Sequence, residues 1–282
     1  MMSQTKITPE EFKQIREFIE QACGISLGDN KEYLVETRLS DILAQSGCKT
    51  YKDLCAKAKN EIRSGLRDKI VDAITTNETL WFRDKYPFDI LKDIIFPAYD
   101  KELISKERQN VRIWCAACAT GQEPYSVVIT LMEYAKHSTS LKPDRLEIIA
   151  TDISPSSLYI ATAGMYDEFA MARGMPPAYM KAYFEKKGRF WSIADSVKQP
   201  IHLKRFNLQD NFLNLGKFDI VFCRNVAIYF SDPFKKELFN RIANTLNKDG
   251  YFFVGASESI TGFSDRFHML THKGGVYYQL KN

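Results

Sequence analysis

The sequence predicts a doubly wound α/β sheet domain with a small antiparallel β insertion, preceded by an all-α N-terminal domain. Three observations predict it. Residues 1–76 carry only helical signals. From about residue 90, strand-like runs alternate with capped helices, the pattern of a parallel sheet covered on both faces. A glycine turn, "WCAACATGQEPYS" at residues 114–126, directly follows the first of those strands.

The elements follow in order. Thr8-Pro9-Glu10-Glu11 starts a helix: a capping threonine, proline at the first helical position and a glutamate that closes the capping box. Phe12, Ile15, Phe18, Ile19 and Ala22 fall on one face, and Gly24 ends it. A second helix is expected from about Lys31 to Ser46, a third capped by Thr50, and a fourth from about Ser64 to Ile74. "TTNETLWFRDKYPF" breaks the pattern and reads as a linker over 77–90. The larger domain spans 91–282. "VRIWCAA", "LEIIATDI", "FDIVFCRN", "GYFFVGA" and "GGVYYQL" are its strands. Residues 124–136, the stretch capped by Ser154-Pro155 and the stretch capped by Ser231-Asp232-Pro233 are helices. "GRFWSI" and "PIHLKRF" are expected to pair as the antiparallel insertion, at about 188–205.

Bulk composition excludes several classes. No apolar run reaches membrane-spanning length, and the start lacks the apolar core of a secretion signal, so a cytoplasmic location is expected. A net charge of +4 is too modest to argue nucleic-acid binding. Cys115 and Cys118 form a lone C-x-x-C, and His268 and His272 a lone i, i+4 pair; neither makes a zinc set, and no metal is expected. No long apolar stripe demands a dimer, so a monomer is expected.

The ligand of such a sheet lies beyond the carboxyl ends of its strands. Asp152 ends one strand; Ser154 already caps the next helix, which leaves the carboxylate for ribose hydroxyls. Gly121 alone does not give the close backbone approach that a pyrophosphate needs. Glu123 at the turn repels phosphate and suits an ammonium group. An adenosine ligand with a positive end and no phosphates fits, and S-adenosylmethionine is such a molecule.

"TTNETLWFRD", "GQEPYS", "ATDIS" and "FDIVFCRNVAIYF", in this order behind a small helical domain, resemble the CheR-type chemotaxis methyltransferases over nearly the whole chain. The resemblance implies a Rossmann-like, class I methyltransferase domain. It implies transfer of a methyl group from S-adenosylmethionine to glutamate side chains of chemoreceptors, leaving S-adenosylhomocysteine and methyl esters that serve sensory adaptation. Residue by residue, it implies cofactor contacts at Asn77, Thr79 and Arg83, an ammonium site at Glu123, a ribose site at Asp152, an adenine pocket at Asn207-Leu208, further contacts at Arg224-Asn225, and Tyr229 beside the transferable methyl. Gln122 stands where the family usually has a second glutamate.

A glutamate acceptor, with an ordinary pKa near 4.3, is ionised at neutral pH and needs no general base. Arg83 is the candidate for steering it, and Tyr229 for fixing its orientation. The partner is the helical cytoplasmic region of a membrane-bound receptor, to which the protein is recruited. Residues 1–76 balance twelve basic against twelve acidic side chains, but 49–69 hold seven basic against three acidic. Arg63 and Arg67 of that segment are therefore expected docking residues, and the resemblance, whose second helix carries arginines along one face, adds Arg38. The insertion has Gly188 as its one glycine, so no tethering peptide is expected. Two other readings are a methyltransferase with another acceptor and a non-catalytic cofactor-binding sensor. "RNVAIYF" lacks the Asn/Asp-Pro-Pro-Tyr/Phe turn usual in methylation of base amines.

Overall fold

The computed structural model describes residues 6–60, 65–138 and 140–281. Four helices come first: α1 (Pro9–Cys23), α2 (Glu32–Ser46), α3 (Tyr51–Asn60) and α4 (Leu66–Ile74). The Thr8 hydroxyl accepts the Glu11 N–H, while the Glu11 carboxylate accepts the Thr8 N–H, which completes the expected capping box. Gly24 closes α1 in the left-handed conformation. The Thr50 hydroxyl accepts from Asp53 N at 3.1 Å at the start of α3.

A turn-rich junction follows, and then one helical run the periodicity did not reveal: α5 (Tyr86–Ile90), a π-helical turn (Leu91–Ile95) and α6 (Phe96–Ile104). Pro87 sits in the first turn of this run, where a missing N–H loses nothing, and Pro97 follows directly on the π-helical turn. The remainder is β1 (Val111–Ala116), α7 (Gln122–Ala135), β2 (Leu146–Asp152), α8 (Pro155–Ala163), β3 (Met165–Asp167), α9 (Glu168–Ala172), α10 (Pro177–Tyr183), β4 (Phe184–Lys187), β5 (Phe190–Ile193), α11 (Asp195–Lys198), β6 (Ile201–Arg205), β7 (Phe218–Cys223), α12 (Asp232–Thr245), β8 (Leu246–Phe253), β9 (Phe267–His272) and β10 (Gly275–Leu280).

The main sheet runs β6-β2-β1-β7-β8-β10-β9. Its first five strands are parallel, and β10 is antiparallel to both neighbours. The order reverses between β1 and β7, which opens a crevice at their carboxyl ends. The sequence expectation for the insertion needs correcting. Ile201–Arg205 pairs parallel with β2 at the sheet edge, and the antiparallel insertion is β3-β5-β4. The alternating pattern of "IHLKR" suits a half-exposed edge strand of either kind, so periodicity could not choose its partner.

The helical domain shares its core with one face of the sheet. Ile15, Phe18 and Ile19 belong to the same buried cluster as Trp114, Val221, Phe230 and Phe252. Polar links reinforce this: Arg205 pairs with Asp68 at 2.5 Å, Asn207 Nδ2 donates to Ala22 O at 2.9 Å, and Ser26 N donates to Tyr229 O at 2.8 Å. Trp81, fully buried, ties the junction to the insertion, with ring centroids 4.9 Å from Tyr166 and 5.3 Å from Phe184.

Trp81 N also donates to Arg173 O at 3.0 Å, which brings Gly174 against the junction backbone. Gly174 has φ +95°, and a β-carbon there would run into the Trp81 carbonyl. Gly174→Ala is expected to destabilise the fold by about 2–3 kcal/mol. The urea midpoint should fall with an unchanged slope; an unchanged midpoint would contradict the packing described.

Candidate active site

A cleft of about 950 Å³, counted to its open mouth, lies at the crevice between β1 and β7. Its walls come from both domains and the junction: Cys23 and Ile25 after α1, residues 75–80 and Arg83 of the junction, Ala117–Ala119 and Glu123 of the β1–α7 turn, Asp152 and Ile153 after β2, Phe206–Leu208 after β6, and Arg224–Val226 with Tyr229 after β7. The expected cofactor residues Asn77, Thr79, Arg83, Glu123, Asp152, Asn207, Leu208, Arg224 and Asn225 all line this one cleft, as does Tyr229.

Backbone strain concentrates here. Phe82, Asp84 and Lys85 of the junction, Ala117 and Ala119 of the turn, and Asn225 after β7 all have positive φ without being glycine. Gly121, at φ +94°, leaves room for Tyr125 and for the Tyr166 hydroxyl, which donates to Thr120 O at 2.7 Å. The insertion thereby braces the turn that carries Glu123.

Arg224 organises the charged end. Its side chain is 1% exposed and makes ion pairs of 2.8 Å with both Glu123 and Asp84. It also donates to Arg83 O at 2.7 Å. Burial opposes its charge, but Glu123 and Asp84 outweigh that and hold its pKa above the ordinary value. Arg224 lines the cleft, and its buried Nε has no partner. Its terminal nitrogens are engaged by the protein, and it positions Glu123 and the junction. Burial pushes the Glu123 carboxyl up, against the opposing pull of Arg224 and Arg83.

Asp152 marks the other end. Its Oδ2 accepts from Ala119 N at 2.8 Å and its Oδ1 from Ser154 N at 2.9 Å. Burial still raises its pKa, the backbone donors notwithstanding. Each oxygen keeps a lone pair for a hydroxyl. Ser154 caps α8 as expected, accepting from Ser157 N at 3.0 Å. Its hydroxyl also bonds Asp72 of α4, and Asn77 Nδ2 donates to it at 3.4 Å. Asn207 Nδ2 donates to Ala22 O, and its Oδ1 accepts from Gln209 N.

These groups fit an adenosine amino acid. Asp152 offers acceptors for two vicinal hydroxyls, and Glu123 offers a carboxylate for an ammonium. Asn225 Oδ1 is buried with no partner, an acceptor in need of a donor. The cleft cysteines are not nucleophiles: burial raises Cys23 to about 11 and Cys118 well above the ordinary thiol value. No cluster of His, Cys, Asp and Glu among the described residues could hold a metal ion, and His272 Nε2 lies 3.1 Å from Asp93.

The docking residues fare differently. Arg38 donates to Ile74 O, Thr75 O and Thr76 Oγ1 at 2.5, 3.0 and 3.2 Å. It clamps the end of α4 to the junction, and its guanidinium is not free for a partner. Arg67 is exposed, and Arg63 lies outside the described residues. Asp84, Glu258 and Asp72 were missed as site residues. Asp84 stands inside the quoted junction motif; Glu258 and Asp72 look like ordinary surface charges in sequence.

Two outcomes follow for affinity. Glu123 must be ionised to hold an ammonium, and its pKa is raised above 4.5 in the free protein. Affinity for S-adenosylhomocysteine should be constant above that raised value and fall about tenfold per pH unit below it, by linkage. Arg224→Met leaves Glu123 and Asp84 without their counter-charge, at a loss of about 3–5 kcal/mol. It should also move the acid limb of the affinity profile to higher pH. Calorimetry across pH checks both, and an acid limb at the same pH in parent and variant would contradict the coupling.

Comparison with known families agrees with this geometry. The family described as "CheR methyltransferase, SAM binding domain" matches residues 77–276, and "CheR methyltransferase, all-alpha domain" matches 10–75. The chain is 43% identical to chemotaxis protein methyltransferase Cher2 of Pseudomonas putida, across 96% of this chain and 98% of that one. It is 41% identical to the chemotaxis protein methyltransferase of Vibrio parahaemolyticus, across 99% and 100%. Behind a cleft shaped for an adenosine amino acid, the chain belongs to the CheR methyltransferase family and is an S-adenosylmethionine-dependent methyltransferase.

Proposed function

We propose that the protein methylates glutamate carboxylates on the helical cytoplasmic region of chemoreceptors, giving methyl esters. One observation carries this reading: the acids that reach the cleft are already engaged. Glu123 is paired with Arg224, Asp152 accepts two backbone N–H groups, and Glu78 pairs with Arg173 at 2.7 Å. Among the described residues no other carboxylate lines the cleft to serve as a general base. The acceptor then arrives already ionised, as a glutamate does and an amine does not. The names of the relatives, chemotaxis protein methyltransferases, point to receptors as the carriers of that glutamate.

The bound donor supplies a sulfonium methyl group for in-line displacement. The chain's own part is alignment. Glu123 and Asp152 fix the two ends of the donor. Arg83 is half-buried on the cleft wall and donates to Glu78 O at 3.3 Å, a long bond that leaves its fork able to turn to a carboxylate. Tyr229 stands on the wall from β7 and orients the same carboxylate through its hydroxyl. Alignment of this kind is worth roughly 7–11 kcal/mol of barrier.

Docking falls to the basic face of α3 and α4, where Lys49, Lys52, Lys59, Arg67 and Lys69 are exposed. That face suits an acidic receptor helix, and recruitment brings a monomer to the membrane. The insertion hairpin turns tightly through Gly188 and Arg189, with Lys187 opposite Phe190. This short turn supports docking without a tethering peptide.

The reading is tested by incubating the protein with labelled donor and receptor-bearing membranes. Label on receptor that mild alkali releases as methanol supports it; alkali-stable label points to a nitrogen acceptor instead. Arg83→Ala should abolish transfer, by roughly a hundredfold or more, and weaken donor binding far less; equal losses in both would contradict its role. Arg67→Glu with Lys69→Glu should slow receptor methylation strongly in low salt and little in high salt; rates independent of salt would contradict the docking face.

A further inference from the structure

Glu258 belongs to no motif and lies outside the cleft wall, in the "GASESI" stretch after β8. Its carboxylate nevertheless gathers the loop that follows β7. Oε2 accepts from Asn225 N at 2.5 Å and from Gly255 N at 2.7 Å, and Oε1 accepts from Ile228 N at 3.3 Å. We propose that Glu258 is a positioning residue for methyl transfer: it sets the 225–229 loop, and through it the places of Asn225 and Tyr229. The proposal rests on the transfer reaction given above.

The loop needs such a holder. Asn225 stands at φ +57°, in the left-handed region, which asparagine enters more readily than other residues with a side chain but which ordinary loop backbone does not favour. Its Oδ1 has no partner within the protein, so its own side chain does not fix it. On the opposite side the loop is held by Ser26 N to Tyr229 O at 2.8 Å and by the bridge between Ile25 and Phe230. Glu258 and the segment after α1 thus hold the two ends of one short stretch, Asn225 at one and Tyr229 at the other. Gly255 permits the approach. A β-carbon there would lie 2.5 Å from Asn225 Nδ2 and 2.9 Å from Glu258 Oε2. A charge-assisted acceptor shared by two backbone donors is a strong restraint, and a misplacement of about 1 Å near reacting atoms can lower a rate about a hundredfold.

Reach is the more demanding requirement, and charge strengthens the bonds that reach allows. Gln keeps the full length and can offer its carbonyl oxygen where Oε2 stands. Asp keeps the charge and is one methylene short. In methyl transfer to receptor membranes, Glu258→Gln should retain kcat within about tenfold, while Glu258→Asp and Glu258→Ala lose about a hundredfold. Donor affinity should change less than tenfold in all three. Asp faster than Gln would overturn the proposal, as would Ala within about threefold of the parent. Losses of affinity as large as the losses of rate would overturn it too. If the parent itself transfers no methyl to receptors, the acceptor assignment fails and this proposal is read separately. In crystals of the donor-bound proteins the 225–229 loop should be displaced in the Asp variant and in register in the Gln variant. A loop in the same place in both would overturn it.

Discussion

A single buried cation holds the cleft together. Arg224 has almost no exposure, and a guanidinium in that position is tolerable only because two carboxylates and a carbonyl surround it. Its partners come from two other segments. Glu123 comes from the turn after β1, Asp84 and Arg83 O from the junction, and Arg224 itself from the end of β7. One residue therefore fixes the relative placement of three loops whose backbones are strained. A strained loop persists only where its surroundings over-determine it, and the network of Arg224 is that surrounding.

The same network tunes Glu123. A carboxyl so deeply buried would favour its neutral form, and the adjacent guanidinium opposes this. The result is an anion prepared for a ligand ammonium. At the other end Asp152 takes its two N–H donors from the β1–α7 turn and from the start of α8, so ribose binding is coupled to the same loops. The helical domain closes the remaining side. Its core is continuous with one face of the sheet, its α1 exit lines the cleft, and its Asp72 reaches the cap of α8. A partner docked on that domain would rest on the structure that shapes the cleft.

Much of this was legible in the sequence. Gly121, Glu123 and Asp152 could be read from elementary chemistry, because a lone glycine and an acid at the turn exclude phosphates. The helical domain was legible through its capping box and apolar face. What stayed hidden had physical reasons. The helical run from Tyr86 to Ile104 holds two prolines and a π-helical turn, which break the regular 3.6-residue period that sequence reading relies on. Ile201–Arg205 was assigned to the wrong sheet, since alternation shows a half-buried strand and does not name its neighbour. Sequence does not reveal that the terminal nitrogens of Arg224 are already engaged by Glu123, Asp84 and Arg83 O. Arg38 read as a docking residue for a similar reason: its role depends on carbonyls that only the fold brings near. Glu258 acts on backbone N–H groups, which leave no trace in side-chain patterns.

The most direct test of the central claim compares calorimetric affinities of S-adenosylhomocysteine and its deaminated analogue, in the parent and in Arg224→Met. If Arg224 keeps Glu123 ready for an ammonium, the amino group should be worth roughly tenfold to a hundredfold in the parent, the range of a charged hydrogen bond. In the variant it should be worth little, a coupling that the double comparison isolates. An amino group worth the same in both proteins would contradict the account.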